Sequence, residues 1–313
     1  MEANFVIPGM YEHYELNFRF LDCMRMHPEC FYPGAKVSAV YGNFQFCIYD
    51  GGRIFGTDVY QHTTKEEMEH VIDMYNNEFN VPVRVVFTNP MLKPKDFHNR
   101  FGKAVLKALN RNSMNEIVIN SPEFEAFLRE QYPNLGYISS TTKCLVSKSA
   151  FEEELDKGAY KMICLDYNLN HNKSLLESIP EEKRDQCEFL VNAICAPGCP
   201  NRKEHYRLNG LYSLKYGKPY STQDCPISEN TIHPKVRGYA NNLTPDDIYN
   251  TYAPQGYKYF KLEGRTLGIV ENLCNYIYYM VKPEYQHYVL NYVLGEESRN
   301  KIFNRDRILV SSN

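Results

Sequence analysis

The chain has 313 residues, 43% hydrophobic and 23% charged, which excludes a disordered segment and leaves room for one large domain or two ordinary ones. A formal net charge of −3 provides no global basic field, so RNA as a partner has no support from charge. The N-terminal MEANFVIPGMYEHY lacks the basic and apolar segments of a secretion signal, and no run reaches membrane-spanning length, so a cytoplasmic protein off the membrane is expected.

In chain order the sequence alternates short apolar, β-branched runs with longer stretches of helical spacing. Expected strands are KVSAVYG (36–42), VPVRVVF (81–87), NEIVIN (115–120), LGYISS (135–140), YKMICLD (160–166), CEFLVNA (187–193), KVRGYA (235–240) and YKYFKLE (257–263). Ser121 before Pro122 and Thr244 before Pro245 read as helix N-caps, and Gly158 as a helix stop. Leu267, Val270, Cys274, Ile277 and Val281 form the apolar face of a last helix. Alternation of strand and helix predicts parallel pairing and an α/β fold, a (β/α)8 TIM-like barrel over 36–283. Residues 1–35 are expected as an N-terminal extension, 195–234 as a cluster-binding insertion, and 284–313 as a C-terminal helical tail.

Loops at the C-terminal ends of barrel strands build active sites. Here those ends read GNFQFCIYDGGR, TNP, NSP, SSTTK, DYNLNHN, NAICAPGC, NNLTP and EGRT, a polar, asparagine-rich rim suited to a polar ligand. The chain has ten cysteines, which in a reducing compartment are thiols, metal ligands or small buried hydrophobes. Cys164, Cys187 and Cys274 fall within apolar runs and read as packing. Cys195 and Cys199, in CAPGCPNRKEHY, follow the sixth strand on a Pro- and Gly-bearing loop that can turn two sulfurs toward one metal. Cys47 and Cys225 are expected near the same rim, giving four thiolates for either a [4Fe-4S] cluster or zinc. Cys23, Cys30 and Cys144 are alternatives to Cys47 as the fourth ligand.

Arg265, in FKLEGR at the end of the last strand, suits bidentate gripping of a carboxylate or phosphate, with an ion pair to a rim acid as the structural alternative. Arg53 carries the same ambiguity. His205 and Arg202, at the start of the sixth helix, are read either as a solvated face or as anion binders near a helix N-terminus. Arg265 and His205 are the candidate catalytic residues.

NAICAPGCPNRKEHY together with VRGYANNLTPDDIYNTYAPQGYKYFKLEGR resembles the collagenase-like peptidase family U-32, most closely over residues 187–265. The resemblance implies a barrel holding a [4Fe-4S] cluster, with Cys195, Cys199 and Cys225 as ligands and Cys47 in the position of the ligand after the first strand. It implies an oxygen-independent hydroxylation or related modification of a polar, aromatic or nucleic-acid substrate, with a small anionic co-substrate such as prephenate. A cluster-binding protein that works only with a partner is the alternative from a different class, with the tyrosine-rich 276–292 as its contact surface; a homo-oligomer is a further form of it. Peptidase activity is the third reading, and the sequence offers no evident nucleophile and base for it.

Overall fold

A computed structural model describes residues 2–52, 63–216 and 238–295. The first strand forms much earlier than expected: the buried apolar run ANFVI makes β1 (Ala3–Ile7), closed by Pro8 and by Gly9 at φ +77°. Helix α1 (Tyr14–Met26) follows. The expected N-terminal extension is therefore the barrel's first strand–helix unit, and it was missed because a five-residue run at a chain start has no preceding turn to mark it.

The series continues with β2 (Ala35–Gly42), α2 (Lys65–Asp73), β3 (Val83–Phe87), α3 (Arg100–Leu109), β4 (Glu116–Ile119) and α4 (Pro122–Gln131). It proceeds through β5 (Gly136–Ser139), α5 (Lys148–Asp156), β6 (Met162–Leu165), α6 (Lys173–Ser178), β7 (Cys187–Leu190), α7 (Arg202–Ser213) and β8 (Tyr259–Lys261). Two further helices, α8 (Ile269–Met280) and α9 (Gln286–Leu294), complete the described chain. All eight strands pair in parallel and in chain order into a closed barrel, a TIM-like α/β fold. β1 seals it, with Ala3 opposite Ala35 and Asn4 opposite Tyr259.

The barrel closes without the expected strand at 235–240, of which 235–237 lie outside the described residues and 238–240 form turns and irregular chain. Thr244 does cap a helical turn, its hydroxyl accepting from the Asp247 N–H at 3.1 Å, but that turn is a π-helix over Asp247–Tyr252. Ser121 caps α4, and Gly158 stops α5 with φ +59°.

Among the described residues three apolar clusters result, the smallest of them at the barrel mouth around Cys164 and Tyr167. The largest lies between strands and helices; the second fills the barrel with Val6, Ala39, Tyr41, Val86, Val118, Ile138 and Met162. Because strand side chains alternate, Arg84, Glu116 and Glu188 share the inner face with Val86, Val118 and Leu190, two positions further on. The Arg84 guanidinium donates to both Glu116 and Glu188, and Lys161 closes on Glu116 from outside. Burial works to raise the Glu116 carboxyl, but Arg84 and Lys161 outweigh it and hold it below the usual range.

Within the expected tail, α9 packs on α1 and α8 and buries Val289 and Val293. The tyrosine-rich stretch is largely core. Tyr276 donates to the Pro8 carbonyl and to Asn17, Tyr279 to the Val191 and Leu243 carbonyls, and Tyr288 is the large exposed side chain among these.

Candidate active site

The rim asparagines act first as staples between loops. Asn43 donates to the Val86 carbonyl at 2.7 Å, Asn89 to the Ile48 and Gly210 carbonyls, and Asn170 to the Leu190 and Asn241 carbonyls. Asn192 and Glu263 exchange bonds, Asn192 donating to the Glu263 carbonyl and accepting from the Glu263 N–H at 2.6 Å. Each staple satisfies a buried backbone group that a loop end would otherwise leave open. Gly51 lets the loop after β2 press against the loop after β3, since a Cβ there would stand 2.6 Å from the Asn89 Cα.

These staples frame a cavity of about 60 Å³ at the C-terminal mouth, lined among others by Tyr41, Thr88, Tyr167, Cys195, Lys261 and Arg265. Among the described residues two cations, Lys261 and Arg265, line it and a third, Arg202, stands behind Thr141 and Tyr167; they differ in how they are held. Arg202 is fully engaged: it donates to Asp166 at 2.6 Å, to the Thr141 carbonyl at 2.7 Å and to the Tyr206 hydroxyl at 3.2 Å, and it stacks over Tyr167 at 4.3 Å. Arg265 lines the cavity and is paired with Asp50 at 2.5 Å, the ion pair to a rim acid that the sequence offers as the structural alternative. Lys261 is 7% exposed, sits over the Tyr41 ring at 4.3 Å and stands 3.6 Å from Oε1 of Glu188, whose other oxygen, Oε2, accepts from Arg84. At that distance it has an ion pair but no hydrogen bond with Glu188.

The Thr88 and Tyr167 hydroxyls, both buried, have no protein hydrogen-bond partner. Beside this group, on the turn after β1, both Glu12 oxygens are sealed from solvent without a side-chain partner. Burial lifts the Glu12 carboxyl to about 7; the nearby N–H groups of Glu12 and Tyr11 and the Arg265 charge pull it down only in part.

Of the expected thiols that are described, Cys47 and Cys195 pack in separate clusters. Cys47 is buried in the large core beside Tyr49, with its thiol pushed up to about 12 by burial. Cys195 belongs to a separate apolar cluster with Cys164, Tyr167, Leu190 and Ala193. Cys199 is half-buried on the same loop, and Cys225 lies outside the described residues, as does Arg53. Cys144 lies close enough to Cys195 to be influenced by its charge. Cys23 and Cys30 sit on the last turn of α1 and just before β2, at the opposite rim. Among the described residues no three of His, Cys, Asp or Glu are arranged to hold a metal. With Cys225 outside them, the described residues do not by themselves supply the ligand set of a [4Fe-4S] cluster or a zinc ion. His205 is half-buried, its ring 5.9 Å from that of Tyr206, and the cavity is lined by Tyr206 instead.

Sequence reasoning passed over Lys261, Thr88, Tyr167, Asp50 and Glu12. One signal was present: in YKYFKLE the alternate positions Tyr259, Lys261 and Glu263 face one side of the strand, and a lysine on the inner side of a barrel strand is a costly placement.

Fold and mouth together define a closed parallel (β/α)8-type barrel with a small polar cavity at the C-terminal ends of its strands. No family model matches the sequence, and no curated protein matches it. Among solved structures the chain is similar to the U32 peptidase Mk0906, with a TM-score of 0.49 and 12% identity over 84% of this chain and 93% of that one. That likeness carries neither an activity nor a ligand across to the present chain.

Proposed function

We propose that the protein is an enzyme whose active site is the mouth cavity and whose substrate enters with a small anionic group leading. One observation supports this reading above the others: Lys261, held by no hydrogen bond, shares the cavity with the unpartnered Thr88 and Tyr167 hydroxyls. Buried donors without acceptors cost about 1–3 kcal/mol each, and an anion would satisfy them all at once. The cavity's volume suits one such group rather than a whole drug-sized ligand. Lys261 therefore takes the role that sequence alone gave to Arg265, because Asp50 already neutralises Arg265.

The finer expectation, oxygen-independent hydroxylation with a prephenate-like co-substrate, is compatible with an anion site. Its cluster chemistry has no ligand set among the described residues, so no step here passes through a cluster. A thermal-shift screen of carboxylate and phosphate compounds tests the proposal. The wild type should be stabilised by some of them and Lys261→Met by none; equal stabilisation of both proteins, or of neither, would overturn it.

A further inference from the structure

Glu12 has no place in the anion site as described, yet it is a sealed carboxyl beside one of the cavity's cations. The Arg265–Asp50 pair acts on it from the mouth side; the buried phenols of Tyr75, just past α2, and Tyr276, on α8, are the other titratable groups that interact with it. Its neighbour His13 is engaged with the Leu267 carbonyl at 2.9 Å.

We propose that Glu12 is a positioning residue that carries a proton whenever the mouth holds an anion, so that the ligand is taken up together with about one proton. This rests on the reading of the mouth as an anion site.

The charge balance leads there. Arg202 has Asp166 and Arg265 has Asp50 as buried counter-ions, each within hydrogen-bond distance. An ionised Glu12 would add a second buried anion beside Arg265 and weaken the positive field that an incoming anion meets; a protonated Glu12 leaves the pair balanced. Asp50 does not compete for this role. Burial raises the Asp50 carboxyl too, but Asp50 accepts from Arg265 and from the Gly52 N–H at 3.4 Å, bonds that favour its anion, whereas Glu12 has no such side-chain bond. With its titration near 7, the Glu12 proton exchanges where ligand binding is measured. Linkage then works both ways: the proton favours the anion, and the anion favours the proton.

Calorimetric titration of the full chain with oxalate and with sulfate, neither of which titrates near 7, tests this in buffers of contrasting ionisation enthalpy. The wild type should take up close to one proton per anion above neutrality, and its affinity should fall by up to about tenfold per pH unit there. Glu12→Gln, which keeps the shape and neutrality of the protonated acid, should bind with unchanging affinity and no proton uptake. In the wild type alone, the Glu12 side-chain carboxyl carbon followed by NMR should titrate at higher pH when the anion saturates the site. Binding without proton uptake, or uptake retained in Glu12→Gln, would overturn the proposal. Absence of any binding to the wild type would instead defeat the anion-site reading beneath it.

Discussion

Replacing Arg84 by Met removes the guanidinium that two buried glutamates share while roughly keeping the volume it fills inside the barrel. Breaking a buried ion pair from one side costs about 3–5 kcal/mol, because the remaining charge is stranded. Here two are stranded, but each keeps a second cation, Lys161 on Glu116 and Lys261 near Glu188, so about 4 kcal/mol is expected. At about 2 cal/mol/K of unfolding entropy per residue, that lowers Tm by about 6 °C. The loss should also depend on pH. In the wild type the Glu116 carboxyl is held low, so its contribution is present above its unfolded value and is lost only as pH falls through the depressed one. Without Arg84 burial dominates, the carboxyl moves up, and stability falls as pH rises. The gap between variant and wild type should therefore widen from mildly acidic to neutral pH in urea melts. A loss below about 1 kcal/mol, or one identical at both pH values, would refute the reasoning. A second readout follows from sharing: freed of Arg84, Glu188 draws Lys261 toward itself, and anion affinity at the mouth should drop severalfold.

Glu154→Gln tests the opposite sign of titration. Burial pushes this carboxyl up, but bonds from Lys143, Lys157 and Ser139 bring it to about 2, so the wild type should exceed the variant by about 2–3 kcal/mol at neutral pH. That margin should vanish in chemical melts as pH falls from 4.5 toward 2. Gly102→Ala would place a Cβ 2.1 Å from the buried Tyr49 ring, which is fixed by its bond to the Phe97 carbonyl. A loss of about 1–3 kcal/mol is expected by calorimetry, with recovery when Tyr49 is also shortened to Leu. Cys47→Ala should leave unchanged whatever iron the protein carries when purified without oxygen, since Cys47 packs apart from Cys195; loss of iron would show that the thiols do meet.

Seven of the barrel's strands were legible because each is an apolar run bounded by turn residues, and the alternation of runs with helical spacing carried the topology. β1 escaped notice for want of such a boundary. Of KVRGYA only 238–240 are described, as turns and irregular chain, and the barrel closes without them. The rim as a whole was also legible, since small polar residues cluster at the strand ends. Their first role was not: Asn43, Asn89, Asn170 and Asn192 mainly satisfy backbone carbonyls of neighbouring strand ends and loops, and only the fold shows which ones.

The contrast between the sulfurs and the cations shows where such reading ends. A cysteine's place after a strand fixes which rim it belongs to, but a rim is wide enough for Cys47 to turn outward into the helix layer while Cys195 turns toward the mouth. Four thiolates can meet only if every loop turns its sulfur the same way, and loop composition does not encode that direction. Lys261 is different. It lies in a strand, where alternation alone decides between inside and outside, so its burial follows from the pairing register once β8 is placed. A charged residue forced inward by register must find either a counter-ion or a ligand. Glu188 answers Lys261 only in part, because its one charge is shared with Arg84 and its Oε1 stays 3.6 Å from the ammonium, beyond hydrogen-bond reach, and this shortfall makes the mouth receptive to an anion.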